Sequence, residues 1–335
     1  MKKKKKIAVV TGGAGFIGSH MVDLLLKKNF KVNVIDNLSG GRLENLKHHF
    51  NNRNFNFEKL DICKLKSNHK FFKLCDYVFH FAGKGDIVPS IERPIEYLDA
   101  NIMGTAKVLE ASKKAPIKKF VYSASSSCYG IAKTPTSEKD LINPLYPYAM
   151  SKYLGEKLCF HWNKLYKLPV NSIRIFNAYG PRVKTTGAYG AVFGVFFKQK
   201  LEKKPFTIVG NGNQKRDFIF VTDVVDAFFK ASQTKLNGQI FNLGTGRPSS
   251  INSLVKILGG NKIYLPKRPG EPNITCANPK KIKKLLKWKP KISFKNGVEI
   301  MLKDITKWRK APLWTANSID KATKSWFSYM ENINR

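Results

Sequence analysis

The chain opens on an apolar, β-branched run at residues 7–11, which passes at once into a glycine-rich turn. Residues 19–28 follow with apolar positions recurring at helical spacing, and a second apolar run, 31–35, ends at Asp36. Five more runs have the length and composition of buried strands: 55–59, 77–81, 119–123, 170–176 and 239–243. Helical segments separate them. Such alternation predicts an α/β fold built on a doubly wound parallel sheet. Beyond Phe176 the pattern loses its regularity and the loops become rich in Gly, Pro and Lys, which predicts a smaller C-terminal part of mixed α/β structure. The tail, 307–335, carries Trp308, Trp314, Trp326 and Phe327. It predicts a terminal helix packed on the core, or a surface for a partner.

Composition narrows the classes. A chain of 335 residues, 42% hydrophobic, supports one large globular unit or two sub-domains. The five cysteines are scattered, odd in number and without a C-x-x-C pair, so neither a disulfide framework nor a metal site is expected. A reducing cytoplasm fits. Lys2 to Lys6 resemble the start of a signal peptide, but the apolar run after them is too short for its core. No stretch approaches the roughly 18 apolar residues of a membrane span. The formal charge of +37 raises nucleic acid or an anionic membrane as partner. The lysines are spread along the chain, however, and no nucleic-acid motif accompanies them, so the expectation is no nucleic acid, no membrane, and solvated lysine-rich faces. The field would also draw in an anionic substrate.

The turn after the first strand reads Gly12-Gly13-Ala14-Gly15-Phe16-Ile17-Gly18. Gly12 permits the sharp exit, Gly15 lets a pyrophosphate approach the backbone, and Gly18 lets the helix pack close. The helix start offers amides and the positive dipole end to those phosphates. Asp36 is placed to accept from an adenosine ribose, and its charge opposes a 2′-phosphate. The order of strand, glycines, helix and acid predicts NAD rather than NADP. Arg42 is the one neighbour that would favour the 2′-phosphate, although a surface loop charge is its more ordinary role.

Tyr148 and Lys152 stand four residues apart, so on a helix they share a face. An ammonium beside a phenol lowers the phenol pKa from about 10 toward working pH, as a general base for an alcohol proton requires. Ser123-Ala124-Ser125-Ser126-Ser127 follows an apolar run and so lies at the carboxyl end of a strand, where ligands of such sheets bind. Ser125 is placed to hydrogen-bond the reacting oxygen. Alone, a serine run or a Tyr-x-x-x-Lys spacing is commonplace.

In this order, these pieces resemble the extended short-chain dehydrogenase/reductase family, its NAD-dependent epimerases and dehydratases, and in particular the UDP-glucose and UDP-N-acetylglucosamine 4-epimerases. The resemblance covers nearly the whole chain, through residues 11–18, 36–39, 61–62, 81–83, 101–105, 125–130, 147–152, 174–180, 215–218 and 268–271. It implies a Rossmann domain over 1–180, with a return of the chain at about 217–247, and a UDP-sugar-binding domain over 181–335. It implies Tyr148 as base, Lys152 as the residue that holds the nicotinamide ribose and lowers the tyrosine pKa, and Ser125 as their hydrogen-bonding assistant. Gly12, Gly15, Phe16, Ile17, Gly18, Asp36, Asn37, Ser39 and Ser123 are assigned to the cofactor. Asp61 and Ile62 resemble the pair beside the adenine, and Phe81, Ala82, Gly83 and Asn101 the wall around phosphates and ribose.

On the substrate side the resemblance implies Ser125, Ser126, Ser127 and Tyr148 at the sugar, and Asn177, Arg216 and Arg268 on diphosphate and uridine. Glu271 stands where many relatives carry aspartate. Thr275 matches a gate position that is bulky in enzymes restricted to UDP-glucose and UDP-galactose and small in those admitting N-acetyl sugars. Ile175 replaces a tyrosine of some relatives, a packing difference. The implied reaction is redox-neutral inversion at C4 of a UDP-hexose through a 4-keto sugar, carried out by a homodimer. Nucleotide-sugar 4,6-dehydratases and UDP-glucuronate decarboxylases share the fold, but carry carboxylates between Ser125 and Tyr129, where this chain has Ser126, Ser127 and Cys128. A uronate or pentose 4-epimerase stays open. A non-catalytic NAD- or nucleic-acid-binding protein is the reading from another class, and the intact Ser125, Tyr148 and Lys152 oppose it.

Overall fold

A computed structural model describes residues 5–185, 192–267 and 271–333, with side chains to 330 in the last helix. The first half runs β1 (Ile7–Thr11), α1 (Phe16–Lys27), β2 (Lys31–Asp36), β3 (Phe55–Lys59), β4 (Tyr77–His80), α2 (Ile87–Glu92), α3 (Pro94–Leu98), α4 (Gly104–Lys113), β5 (Lys119–Ser125), α5 (Pro147–Tyr166) and β6 (Val170–Ile175). The chain then leaves through β7 (Asn177–Tyr179), α6 (Val192–Leu201), β8 (Phe206–Val209), β9 (Lys215–Arg216) and β10 (Phe218–Phe220). It returns by α7 (Val221–Gln233) to β11 (Gln239–Leu243). It ends with β12 (Ser249–Ser250), α8 (Ile251–Leu258), β13 (Lys262–Leu265), α9 (Lys280–Leu286), α10 (Phe294–Lys303) and α11 (Ala316–Ile333).

The central sheet has the order β11-β6-β5-β4-β1-β2-β3, all parallel. Its strands are covered on both faces. Ala8 and Val10 of β1 point into one apolar cluster and Val9 into another, and Val121 is separated from Phe120 and Tyr122 in the same way. This is why β1, β4 and the start of β5 read as apolar runs in the sequence, whereas β6 buries Asn171, Ser172 and Arg174 among its apolar residues and β3, at the edge, is only partly buried. Three differ from expectation at their ends: β4 stops at His80, β6 at Ile175, and β5 runs on to Ser125. The last extension carries the serine run into the sheet's carboxyl edge.

Chain order reverses at β1, which has β2 on one side and β4 on the other, so a crevice opens beyond its carboxyl end. The remaining strands form three two-stranded pairs, β7 with β10, β9 with β12, and β8 with β13. They sit in a second lobe around a core of aromatic residues that includes Phe193, Phe197, Phe218 and Trp308.

Candidate active site

The glycine turn after β1 is closed by its own backbone. Gly12 takes φ +69°, its amide donates to the Ile35 carbonyl at 2.8 Å, and a Cβ there would lie 2.6 Å from the Ala82 nitrogen. A Cβ on Gly18 would lie 2.1 Å from the Gly12 carbonyl oxygen. Gly18 therefore admits the turn against the helix, a closer contact than the helix-to-sheet approach expected of it. Gly15 caps α1 with no side-chain hydrogen bond, and the first turn of α1 holds no acidic residue. A phosphate thus meets the first amides of α1 with no capping side chain and no acidic residue of the helix's own first turn in competition, and the cradle fits a dinucleotide pyrophosphate.

Asp36 closes β2 beside this turn. Its Oδ2 accepts from the Ala14 amide at 3.0 Å and its Oδ1 from the Leu38 amide at 2.8 Å. Burial raises its carboxyl pKa against those two bonds. A carboxylate has about four acceptor sites, so two remain for ribose hydroxyls. Asn37 donates to Asp61 at 2.9 Å, which ties the end of β2 to the turn after β3. Arg42 is exposed and reaches Thr185 at 3.5 Å.

A cavity of about 1310 Å³ runs from this turn to Arg216 and Glu271 in the second lobe. Gly12, Gly15, Phe16, Ile17, Gly18, Asp36, Asn37, Ser39, Asp61, Ile62, Phe81, Ala82, Gly83 and Ser123 all line it. Asn101 does not. It is 1% exposed, in a π-helical turn at Asp99–Met103, and lies behind the wall. Its Oδ1 accepts from the Lys84 amide at 2.8 Å, and its Nδ2 donates to the Lys84 carbonyl at 3.0 Å and to Ser151 at 2.8 Å. Asn101 shapes the wall instead of forming its surface.

Ser125, Ser126, Ser127, Tyr148 and Lys152 line the middle of the cavity. Pro147 fits the first position of α5, where its missing N–H costs nothing, and sets Tyr148 and Lys152 one turn apart on the face toward β5. Farther along α5, Glu156 anchors the helix to β6. Arg174 Nε lies 3.1 Å from both Glu156 carboxylate oxygens, and its Nη1 donates to the Tyr129 hydroxyl at 2.7 Å. The Lys152 ammonium lies 4.6 Å from the centroid of the Tyr122 ring, and burial pushes its pKa down to about 8.

Tyr148 lines the cavity beside Ser125. Burial raises its phenol pKa, the Ser125 hydroxyl opposes that, and Asp86 and Cys128 add to the rise. The expected lowering by Lys152 is therefore not what the folded chain by itself provides: desolvation of the phenolate outweighs the favourable contacts. Beneath the site, His80 bridges Thr11 at 2.6 Å and Thr105 at 2.9 Å, and burial drives its pKa down to about 3, so it stays neutral and serves as a strut.

At the other end, Asn177 donates to the Thr275 hydroxyl at 2.9 Å. Thr275 itself is outside the cavity lining and reaches the site through that amide. Arg216 Nη1 donates to the Pro272 carbonyl at 2.8 Å, and Nη2 lies 3.5 Å from Glu271. Asp217, fully buried, fixes the strand that carries Arg216: it accepts from the amides of Thr245 at 2.8 Å, Gly246 at 3.0 Å and Ala277 at 2.9 Å. Arg268 lies outside the described residues. Sequence reasoning missed His80, Asp86, Tyr122 and Tyr146. Asp217 was within a quoted motif, but its role as an anchor was not visible there.

Comparison with known proteins gives one family. Residues 8–244 match the NAD dependent epimerase/dehydratase family. A putative UDP-glucose 4-epimerase of Methanocaldococcus jannaschii is 37% identical over 90% of this chain and 98% of its own. Among solved structures, a UDP-N-acetylglucosamine 4-epimerase of Methanobrevibacter ruminantium in complex with UDP-N-acetylmuramic acid is 33% identical, with a TM-score of 0.84 over 90% of this chain and 100% of its own. A UDP-glucuronic acid 4-epimerase of Bacillus cereus, in complex with UDP-glucuronic acid and NAD, is 34% identical, with a TM-score of 0.83 over 90% of this chain and 99% of its own. Relatives also include UDP-glucuronic acid decarboxylases of Arabidopsis thaliana.

Proposed function

The chain belongs to the NAD dependent epimerase/dehydratase family and uses NAD, and we propose that it inverts C4 of a UDP-hexose. The proposed pairs are UDP-N-acetylglucosamine with UDP-N-acetylgalactosamine, and UDP-glucose with UDP-galactose. One observation carries the reading: Ser125, Tyr148 and Lys152 line the same cavity as the glycine turn on one side and Arg216 on the other. Tyr148 takes the proton from O4 and later returns it. Ser125, beside the phenol, steadies the same oxygen, and Lys152 holds the cofactor ribose. NAD, when bound, supplies the hydride acceptor for C4 and a positive charge that favours the ionised phenol.

Ser126 and Ser127 support epimerisation over loss of water, because expelling a hydroxyl at C6 needs an acid at that wall. In this reading 181–335, apart from the return at about 217–247, is the UDP-sugar domain, with Asn177, Arg216, Arg268 and Glu271 on diphosphate and uridine. An arginine fork suits phosphate geometry. Thr275, outside the cavity lining, bears on room for an acetamido group only through where it sets Asn177. Exposed apolar side chains from α3 to α5, among them Ile95, Met103, Leu154 and Leu165, support a homodimer on these helices.

The test is incubation with UDP-N-acetylglucosamine, UDP-glucose and UDP-glucuronate in turn, without added NAD, followed by chromatography. UDP-N-acetylgalactosamine is the expected product of the first. Inversion of UDP-glucuronate alone moves the substrate to the uronates, and a pentose or a 4-keto-6-deoxy product refutes the epimerase.

A further inference from the structure

The last helix, α11, buries Ile319, Thr323, Trp326 and Met330, a spacing that puts all four on one face. Trp326 and Met330 pack with Val88 of α2, and Ile87, Ile91, Tyr146 and Tyr329 join the cluster. Ser325 donates to Glu92 at 3.0 Å. Helix α11 thus lies on α2, whose Ile87 and Pro89 line the cavity, and on Tyr146, which immediately precedes α5. The Tyr146 ring centroid lies 5.7 Å from that of Trp326 and 6.4 Å from that of Tyr148, the last two rings being within 9° of parallel. Residues 8–244, which carry the family match, do not include this helix.

We propose that Trp326 is a positioning residue for the reaction: through Tyr146 it sets Tyr148, and α11 closes the wall behind it. The inference rests on the reading of Tyr148 as the base. A tryptophan offers Tyr146 a large, stiff face with few rotatable bonds. Without it one side of the Tyr146 ring loses its packing and water enters the wall. Misplacing a catalytic group by about 1 Å costs roughly a hundredfold, and Tyr146 is one contact removed, so about tenfold is expected.

Water entry has a second signature. It relieves the desolvation that holds the Tyr148 phenol up, so the rise of rate with pH moves to lower pH. The groups facing Tyr148 are Ser125, Asp86, Cys128, Lys152 and Tyr146, with Arg216 and Glu271 beyond Tyr146, and none of them changes when Trp326 is replaced. A mere loss of folded protein scales the rate without moving its pH profile.

The test compares the full-length NAD-loaded variants Trp326→Ala, Trp326→Phe, Tyr146→Leu and Tyr148→Phe with the wild type on a UDP-sugar that the wild type converts. Trp326→Ala is expected to lower kcat roughly tenfold, with KM within about threefold, and to shift the pH profile down. Trp326→Phe is expected to recover most of the rate and the profile. Tyr146→Leu removes the ring that lies between Trp326 and Tyr148. It too is expected to lower kcat and shift the profile, and it carries the test if Trp326→Ala is insoluble. Wild-type kcat and pH profile in Trp326→Ala overturn the inference, as they do in Tyr146→Leu where the alanine variant is insoluble. Wild-type turnover in Tyr148→Phe overturns the assignment of the base instead.

Discussion

Tyr148 concentrates the chemistry in one oxygen. Burial makes its phenolate hard to form, and the Ser125 hydroxyl works the other way. As the base must be ionised to accept a proton, the rate should rise with pH until the phenol has titrated. Tyr148→Phe removes the oxygen and little else. Turnover should fall between about a hundredfold and ten-thousandfold, while the variant keeps its fold and its NAD, measured by nucleotide released on denaturation. Wild-type rates in that variant would remove Tyr148 from the mechanism. Its pairing with Lys152 was legible in the sequence because four residues make one helical turn. Asp86 and Tyr146 were not legible: no spacing links Asp86 to Tyr148 or Tyr146 to Trp326, and those approaches are made by the packing of α2, α5 and α11. Asn101 shows the opposite error, a motif residue whose place in the motif reflects support for a loop more than contact with the cavity.

At the scale of elements, the turn between β1 and α1 is the most constrained piece of backbone in the site. A Cβ at Gly18 would lie within 2.1 to 2.9 Å of backbone atoms of Gly12 and Gly13, which cannot swing aside as a side chain can. Gly40, also lining the cavity, has nothing within 4 Å of the same position. Gly18→Ala should therefore weaken NAD retention by about tenfold or more, a shift of roughly 1.4 kcal/mol, and Gly40→Ala should leave it unchanged. Equal NAD contents in the two variants would contradict the cradle. The inner strands of the central sheet were legible because burial on both faces makes β1, β4 and the start of β5 read as apolar runs. β7, β9, β10 and β12 span two or three residues each. No periodicity is defined over so few positions, and what holds β9 and β10 in place is the buried Asp217 between them.

For the molecule as a whole, the parallel sheet was legible in the alternation of strand and helix, but not how the tail is used. An amphipathic pattern in α11 states that a face is buried without stating against what. The charge of +37 was plain from composition, and its consequence is kinetic. Raising ionic strength from about 0.01 to 0.15 M shortens the screening length from about 30 to 8 Å. In stopped-time assays kcat/KM for an anionic UDP-sugar should drop several-fold with kcat unchanged, and a flat response would show that the field has no part in capture. The central claim is that a hydrogen leaves C4 and returns to its other face inside one closed site. Conversion of UDP-N-acetylglucosamine in heavy water, without added NAD and followed by mass spectrometry and proton NMR, tests it most directly. The account predicts a product inverted at C4, equal in mass to the substrate once exchangeable protons are washed back, with no deuterium on carbon. Deuterium on carbon, loss of water or carbon dioxide, or an unchanged C4 in a protein that retains NAD would contradict it.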